Sequence, residues 1–141
     1  LGVEALSKEL TVNNLKPLFN NRKKSIKNTL IDQSVIAGIG NIYASEILYK
    51  AKIHPFRSTN SLSEIDLESI IKACRFILKK AIKLGGTTIK NHAQPDGKLG
   101  YFKQKLKVYG RVGKKCFSCK NYILNVSIAN RSTYYCDYCQ I

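Results

Sequence analysis

Acidic residues are scarce in this chain: 9 Asp and Glu stand against 24 Lys and Arg in 141 residues, a formal net charge of +15 and a pI near 9.8. Long apolar runs are missing as well. No stretch approaches the roughly 18 consecutive apolar residues of a membrane-spanning helix, so a membrane protein is not expected. The apolar core of a secretory signal is also lacking, because Glu4, Lys8 and Glu9 interrupt Leu1 to Leu10. There is no Gly-x-Gly-x-x-Gly after a strand pattern, which argues against a dinucleotide site. The first residue is Leu and not Met, so the chain reads as a piece of something longer. What remains is a composition of 44% hydrophobic and 23% charged residues, that of a folded domain and too apolar for a disordered basic tail.

A folded surface this basic expects a polyanion, since each Lys or Arg placed on a phosphate releases condensed counterions. Acidic membrane is the competing partner. The distribution favours nucleic acid: no acidic residue lies between Gly97 and Cys136, while Lys98, Lys103, Lys105, Lys107, Arg111, Lys114, Lys115, Lys120 and Arg131 all do.

Four of the five cysteines form two C-x2-C pairs, Cys116/Cys119 and Cys136/Cys139, separated by sixteen residues. This spacing suits one structural Zn²⁺ held tetrahedrally by four thiolates, which would supply folding energy to a segment too short for its own core. Two disulfides are the alternative. They fit poorly with an odd cysteine count and no secretion signal. The fifth, Cys74, falls on the apolar stripe of Leu67, Ile70, Ile71, Ile77, Leu78 and Ala81, where a buried inert thiol is expected.

Residues 1–10 read as a linker. Thr11 is a candidate N-cap for a helix carrying Leu15, Leu18 and Phe19, which Pro17 is expected to kink or break. An apolar stretch (Leu30, Ile31, Val35, Ile36) runs into the turn Gly38-Ile39-Gly40-Asn41. A helix follows from Ile42 to Ala51, ended by His54-Pro55. The longest helix is expected after a capping box at Ser61-x-x-Glu64, closing at Gly85-Gly86. Thr87 to Gly100 reads as a polar mobile loop, and Leu106, Val108 and Tyr109 as a short strand. Tyr122 to Ile128 and the residues up to Tyr135, joined at Ala129-Asn130, read as a zinc-ribbon-like hairpin. The fold class is therefore mainly α with a small β finger. The bare turn at 38–41 could bring backbone N–H groups to a phosphate at the positive end of the next helix. Arg131, beside the hairpin turn, could fork onto another, although a solvated turn residue would look the same.

Four ordered motifs carry a resemblance. The run from Leu30 to Glu46 (LIDQSVIAGIGNIYASE), Gly85-Gly-Thr-Thr88, Val108-Tyr-Gly-Arg111 and Asn130-Arg-Ser-Thr-Tyr-Tyr-Cys136 through Cys139-Gln140 resemble the C-terminal half of bacterial formamidopyrimidine-DNA glycosylases, whose architecture the endonuclease VIII relatives share. The resemblance covers essentially the whole chain. It implies an interdomain linker (1–10), a helix-two-turn-helix DNA-binding domain (11–95) and a zinc finger (107–141), together gripping double-stranded DNA at oxidised or abasic lesions. Within it, Lys23, Lys27, Asn41, Tyr109 and Arg131 match DNA-binding positions. Arg131 also matches the residue assigned as proton donor in δ-elimination. The segment 85–100 matches a lesion-capping loop, with Thr87, Thr88, Ile89, Lys90, Asn91, His92 and Ala93 expected to read the flipped oxidised purine. Zinc would be bound by Cys116, Cys119, Cys136 and Cys139.

The same resemblance implies a bacterial, cytoplasmic, monomeric DNA-repair enzyme that removes 8-oxoguanine and formamidopyrimidines and nicks abasic sites. Its N-terminal nucleophilic Pro, the following Glu and a β-hairpin Lys have no counterpart here, Leu1-Gly2 standing where Pro-Glu would be required. The 141 residues alone are therefore expected to bind DNA without catalysis, with an N-terminal catalytic domain of the same protein as partner. A stand-alone nucleic-acid-binding zinc module without chemistry is the alternative, and an RNA-binding zinc ribbon a more distant one.

Overall fold

A computed structural model describes residues 1–84 and 105–141. The order of elements is β1 (Val3–Glu4), α1 (Val12–Asn20), α2 (Ile26–Leu30), β2 (Ile36–Ala37), α3 (Asn41–Ala51), a 3-10 turn (Thr59–Ser61), α4 (Glu64–Lys83), and the hairpin β3 (Leu124–Ile128) and β4 (Arg131–Tyr135). The chain is thus mainly helical with one small antiparallel finger, as the sequence implies.

Helices α1, α2, α3 and α4 enclose one apolar core, with Leu15 and Phe19 from α1, Ile26 and Leu30 from α2, Ala44, Ile47 and Leu48 from α3, and Leu67, Ile70 and Cys74 from α4. The first ten residues, read as a linker, are docked on the helices. Ala5 and Leu10 are buried in that core, and Val3 and Glu4 pair in parallel with Ile36 and Ala37. Gly2 makes this docking possible: a Cβ there would sit 2.3 Å from the Val35 carbonyl carbon. Linker composition hid the contact because only Val3, Ala5 and Leu10 supply apolar anchors.

Three expectations change. Pro17 lies inside α1 without ending it; the Asn13 carbonyl it leaves without its helical donor belongs to an exposed residue, as is Pro17 itself, so water can replace the missing bond. The capping box of α4 is Ser63 with Asp66, both reciprocal bonds present, because the 3-10 turn takes up Thr59 to Ser61 and shifts the helix start by two residues. Leu106 to Tyr109 do not form a strand. They turn, because their amides are bound by a side chain from α3, described below.

The hairpin follows the expected pairing, Leu124 with Tyr135 through Ile128 with Arg131. Ala129 and Asn130 both take positive φ, 51° and 66°, the two left-handed positions of a tight I′ turn. Val108, Cys116, Ile123 and Cys136 make a second small core, whereas Leu106 belongs to the helical one. Among the described residues no helix is long and apolar enough to cross a membrane. Gly85, Gly86 and the 87–93 positions lie outside the described residues.

Candidate DNA interface and metal centre

The sulfurs of Cys116, Cys119, Cys136 and Cys139 lie within 4.8 Å of one another. Cys116 to Cys139 is 3.8 Å and Cys119 to Cys136 is 3.4 Å, far beyond a disulfide bond. A tetrahedral Zn²⁺ with bonds of about 2.3 Å spaces its thiolates about 3.8 Å apart, so the donor set fits one structural zinc. Backbone amides support it: Ser118 N–H points to Cys116 Sγ at 3.4 Å and Cys139 N–H to Cys136 Sγ at 3.4 Å. Cys74, by contrast, is buried, its thiol facing the Ala5 carbonyl at 3.7 Å and pushed up to about 12 by burial. It is packing and not a ligand.

The finger is locked onto the helices by residues whose roles the sequence left unread. Buried Gln140 accepts from Cys136 N–H at 2.8 Å and donates to the Ile53 carbonyl at 3.0 Å. Its neighbour Ile141 pairs with Lys52 and His54 through backbone bonds of 3.1 and 3.0 Å. Glu46, 2% exposed, reaches out of α3 to accept the N–H groups of Lys107, Val108 and Tyr109, each at 2.8 Å. Burial raises its pKa, while those three bonds favour the carboxylate. A Glu among Tyr43, Ile47 and Leu48 on a buried face was the available signal: such a charge persists only if fully partnered. Arg111, part of the basic field by sequence, is committed internally, donating to the Lys107 and Lys115 carbonyls at 2.6 and 2.8 Å and stacking 3.9 Å above the Phe117 ring.

On the opposite side the locked finger brings β4 against the start of α3. Asn41 Nδ2 donates to the Ser132 carbonyl at 3.0 Å, next to Arg131 at the exposed hairpin tip. Tyr109 stands edge to face on Tyr134, ring centroids 4.6 Å apart. The turn ahead of α3 is held by Gln33, whose amide takes the Gly38 N–H at 2.8 Å and gives to the Ile39 carbonyl at 3.0 Å. Gly38 sits at φ 108°, which requires glycine. Gly40 does not: its φ is −95°, and a Cβ there would meet nothing within 4 Å. As N-cap it offers no side-chain acceptor, and the N–H groups of Asn41 and Ile42 find none among the described residues.

Lys27 adds the sharpest anomaly. It is fully buried on α2, its Nζ has no hydrogen-bond partner among the described residues, and burial, followed by the Arg131 charge, pulls its pKa down to about 8. Arg131 is thus close enough for its charge to act on Lys27, and its neighbour Ser132 is bonded to Asn41 at the start of α3, whose N-cap has no side-chain acceptor. Lys23 is exposed just upstream. The structure thus brings together Lys27, Asn41 and Arg131, with Tyr109 packed on the same hairpin. Thr87, Thr88, Ile89, Lys90, Asn91, His92 and Ala93 lie outside the described residues.

A family model described as the formamidopyrimidine-DNA glycosylase H2TH domain matches residues 1–93, and one described as the zinc finger found in FPG and IleRS matches residues 113–141. The chain is 49% identical over 140 residues to the formamidopyrimidine-DNA glycosylase of Rickettsia africae strain ESF-5 and 44% identical to that of Rickettsia bellii strain OSU 85-389. Each alignment covers 99% of this chain and 51% of the relative. Among solved structures, the MutM (FPG) protein of Thermus thermophilus is similar with TM-score 0.89 at 37% identity, over 99% of this chain and 53% of that one. The Lactococcus lactis enzyme, non-covalently bound to DNA containing an AP site, gives 0.86 at 35%, over 99% and 49%. The chain spans about half the length of the curated relatives it matches.

Proposed function

Because the chain belongs to the formamidopyrimidine-DNA glycosylase family, we propose that it is the DNA-gripping C-terminal part of a base-excision-repair glycosylase and AP lyase acting on oxidised purines. Residues 1–10 dock on a helix-two-turn-helix domain (11–95), and residues 107–141 form its zinc finger. The observation that carries this reading is the buried Lys27 ammonium, without a hydrogen-bond partner among the described residues and under the charge of Arg131, whose neighbour Ser132 is bonded to Asn41 at the uncapped start of α3. Buried polar groups are almost always hydrogen-bonded, and a buried ammonium under the charge of a second cation, with amides at the start of α3 lacking acceptors, calls for an anion. A phosphate of duplex DNA supplies it, with the Gly40 side leaving room for approach. Lys23 and Tyr109 would contact the flanking backbone, and Arg131 would double as the proton donor of δ-elimination. Thr87 to Ala93 are assigned to lesion capping on the family resemblance.

For the 141 residues taken alone, binding without base release is the expected behaviour. An amine nucleophile must be held against the sugar to work. The partner implied is an N-terminal catalytic domain of the same protein, working as a monomer in the bacterial cytoplasm. The test is a salt titration of binding to duplexes carrying 8-oxoguanine, an abasic analogue or no lesion. Tighter binding to the lesion duplexes, with log affinity falling linearly against log salt, supports the proposal. Salt-insensitive binding with no lesion preference would remove it.

A further inference from the structure

Most hydrogen bonds to the four zinc sulfurs come from the finger itself: the amides of Ser118 and Cys139, and the Asn121 side chain, whose Nδ2 lies 3.3 Å from Cys119 Sγ. Among the described residues, one comes from elsewhere. Tyr49, near the end of α3, places its hydroxyl 3.1 Å from Cys116 Sγ and 3.1 Å from Ser118 Oγ, with its ring packed on the finger core.

The direction of these bonds follows from proton counting. Tyr49 has one hydroxyl proton and a zinc-bound thiolate has none. If Tyr49 donated to Ser118, phenol and sulfur lone pairs would confront one another at 3.1 Å. The order that satisfies all three groups is Ser118 donating to Tyr49 and Tyr49 donating to Cys116. Four thiolates around Zn²⁺ carry a net −2 charge, so a donated hydrogen bond stabilises the sulfur as thiolate and opposes its protonation and release. We propose that Tyr49 is a helical-domain residue that helps retain the finger's zinc by hydrogen bonding to Cys116, so that metal retention depends on how the finger is seated on α3. This rests on the assignment of zinc to the four cysteines.

The test is Tyr49→Phe, which keeps the ring and its packing. Zinc affinity would be measured by chelator competition, and the cobalt-substituted protein by absorption. Loss of an outer hydrogen bond to a ligand typically weakens metal binding by about 10–100-fold, so a loss of about tenfold or more is expected. The thiolate-to-cobalt charge-transfer band should move to longer wavelength, because the sulfur becomes a stronger donor. The ligand-field bands and far-UV circular dichroism should stay those of the wild type, which separates this role from unfolding. If the wild-type protein holds one zinc and Y49F matches it in both affinity and charge-transfer energy, the inference fails. If the wild-type protein binds no zinc when reduced, the four-cysteine zinc assignment fails instead.

Discussion

Replacing Lys27 with Met should stabilise the free protein and weaken its hold on DNA, two effects of opposite sign from one side chain. Burial and the neighbouring Arg131 lower the Lys27 pKa from 10.5 to about 8. At 1.36 kcal/mol per unit, keeping the ammonium in the fold costs up to about 3 kcal/mol. Met keeps the apolar stem without the charge. A gain of about 1–3 kcal/mol follows, or roughly 3–10 °C in Tm for a chain of this size. The gain depends on pH. Below about pH 8 Lys27 is protonated in folded and unfolded states alike, and the wild-type penalty is constant. Between about 8 and 10.5 only the unfolded chain keeps the proton, so wild-type stability rises with pH and the advantage of the Met variant shrinks. With DNA the balance reverses: losing one phosphate partner should reduce the salt slope by about 0.9. Thermal melts from about pH 6 to 11, spanning both values of the Lys27 pKa, paired with binding isotherms at several salt concentrations, provide the assay. A K27M protein that melts no higher than wild type at neutral pH and binds DNA equally well would refute the picture of a buried cation awaiting an anion.

Arg131→Ala should weaken duplex binding by about 1–3 kcal/mol and flatten the salt slope by about one unit; equal isotherms would show that the hairpin tip stays off the DNA. Asn41→Ala should weaken binding by a similar amount with little change in slope, and should also cost about 1 kcal/mol of stability by freeing the Ser132 carbonyl, which denaturant titration can separate from affinity. Gly40→Ala should fold with stability within about 1 kcal/mol of wild type, since its Cβ meets no neighbour, yet bind DNA more weakly; undiminished affinity would mean that no phosphate approaches there. Chelating zinc should unfold the finger while the helices persist on their own core, seen as lost near-UV signal from Tyr134 and Tyr135 with most helical circular dichroism intact.

The zinc ligands and the hairpin turn were legible because their chemistry is local: cysteine spacing and a two-residue turn leave few geometries open. Helices α1, α3 and α4 were legible from apolar periodicity, although Pro17 and the α4 cap shifted in detail where solvent could rescue a lost bond or a nearby turn took up the residues; the five residues of α2 are too short to show a period. What could not be read were partnerships across sequence distance. Glu46 looks like an ordinary helical acid until Lys107 to Tyr109 arrive from over sixty residues away. Gln140 looks like a terminal polar residue until Ile53 meets it. Lys27 was matched by resemblance, but nothing in the neighbouring residues tells that its ammonium is buried and without a partner among the described residues.

The attachments made by Glu46, Gln140 and Ile141 also have a calorimetric consequence. They order the hairpin tip relative to α3 before any ligand arrives, so docking a duplex on this surface need not be accompanied by folding. Heat-capacity changes on binding should therefore stay near what the contact area itself accounts for, without the excess that accompanies coupled folding. Glu46→Gln, which sets an amide NH₂ against backbone donors that now meet a carboxylate, should make that excess appear.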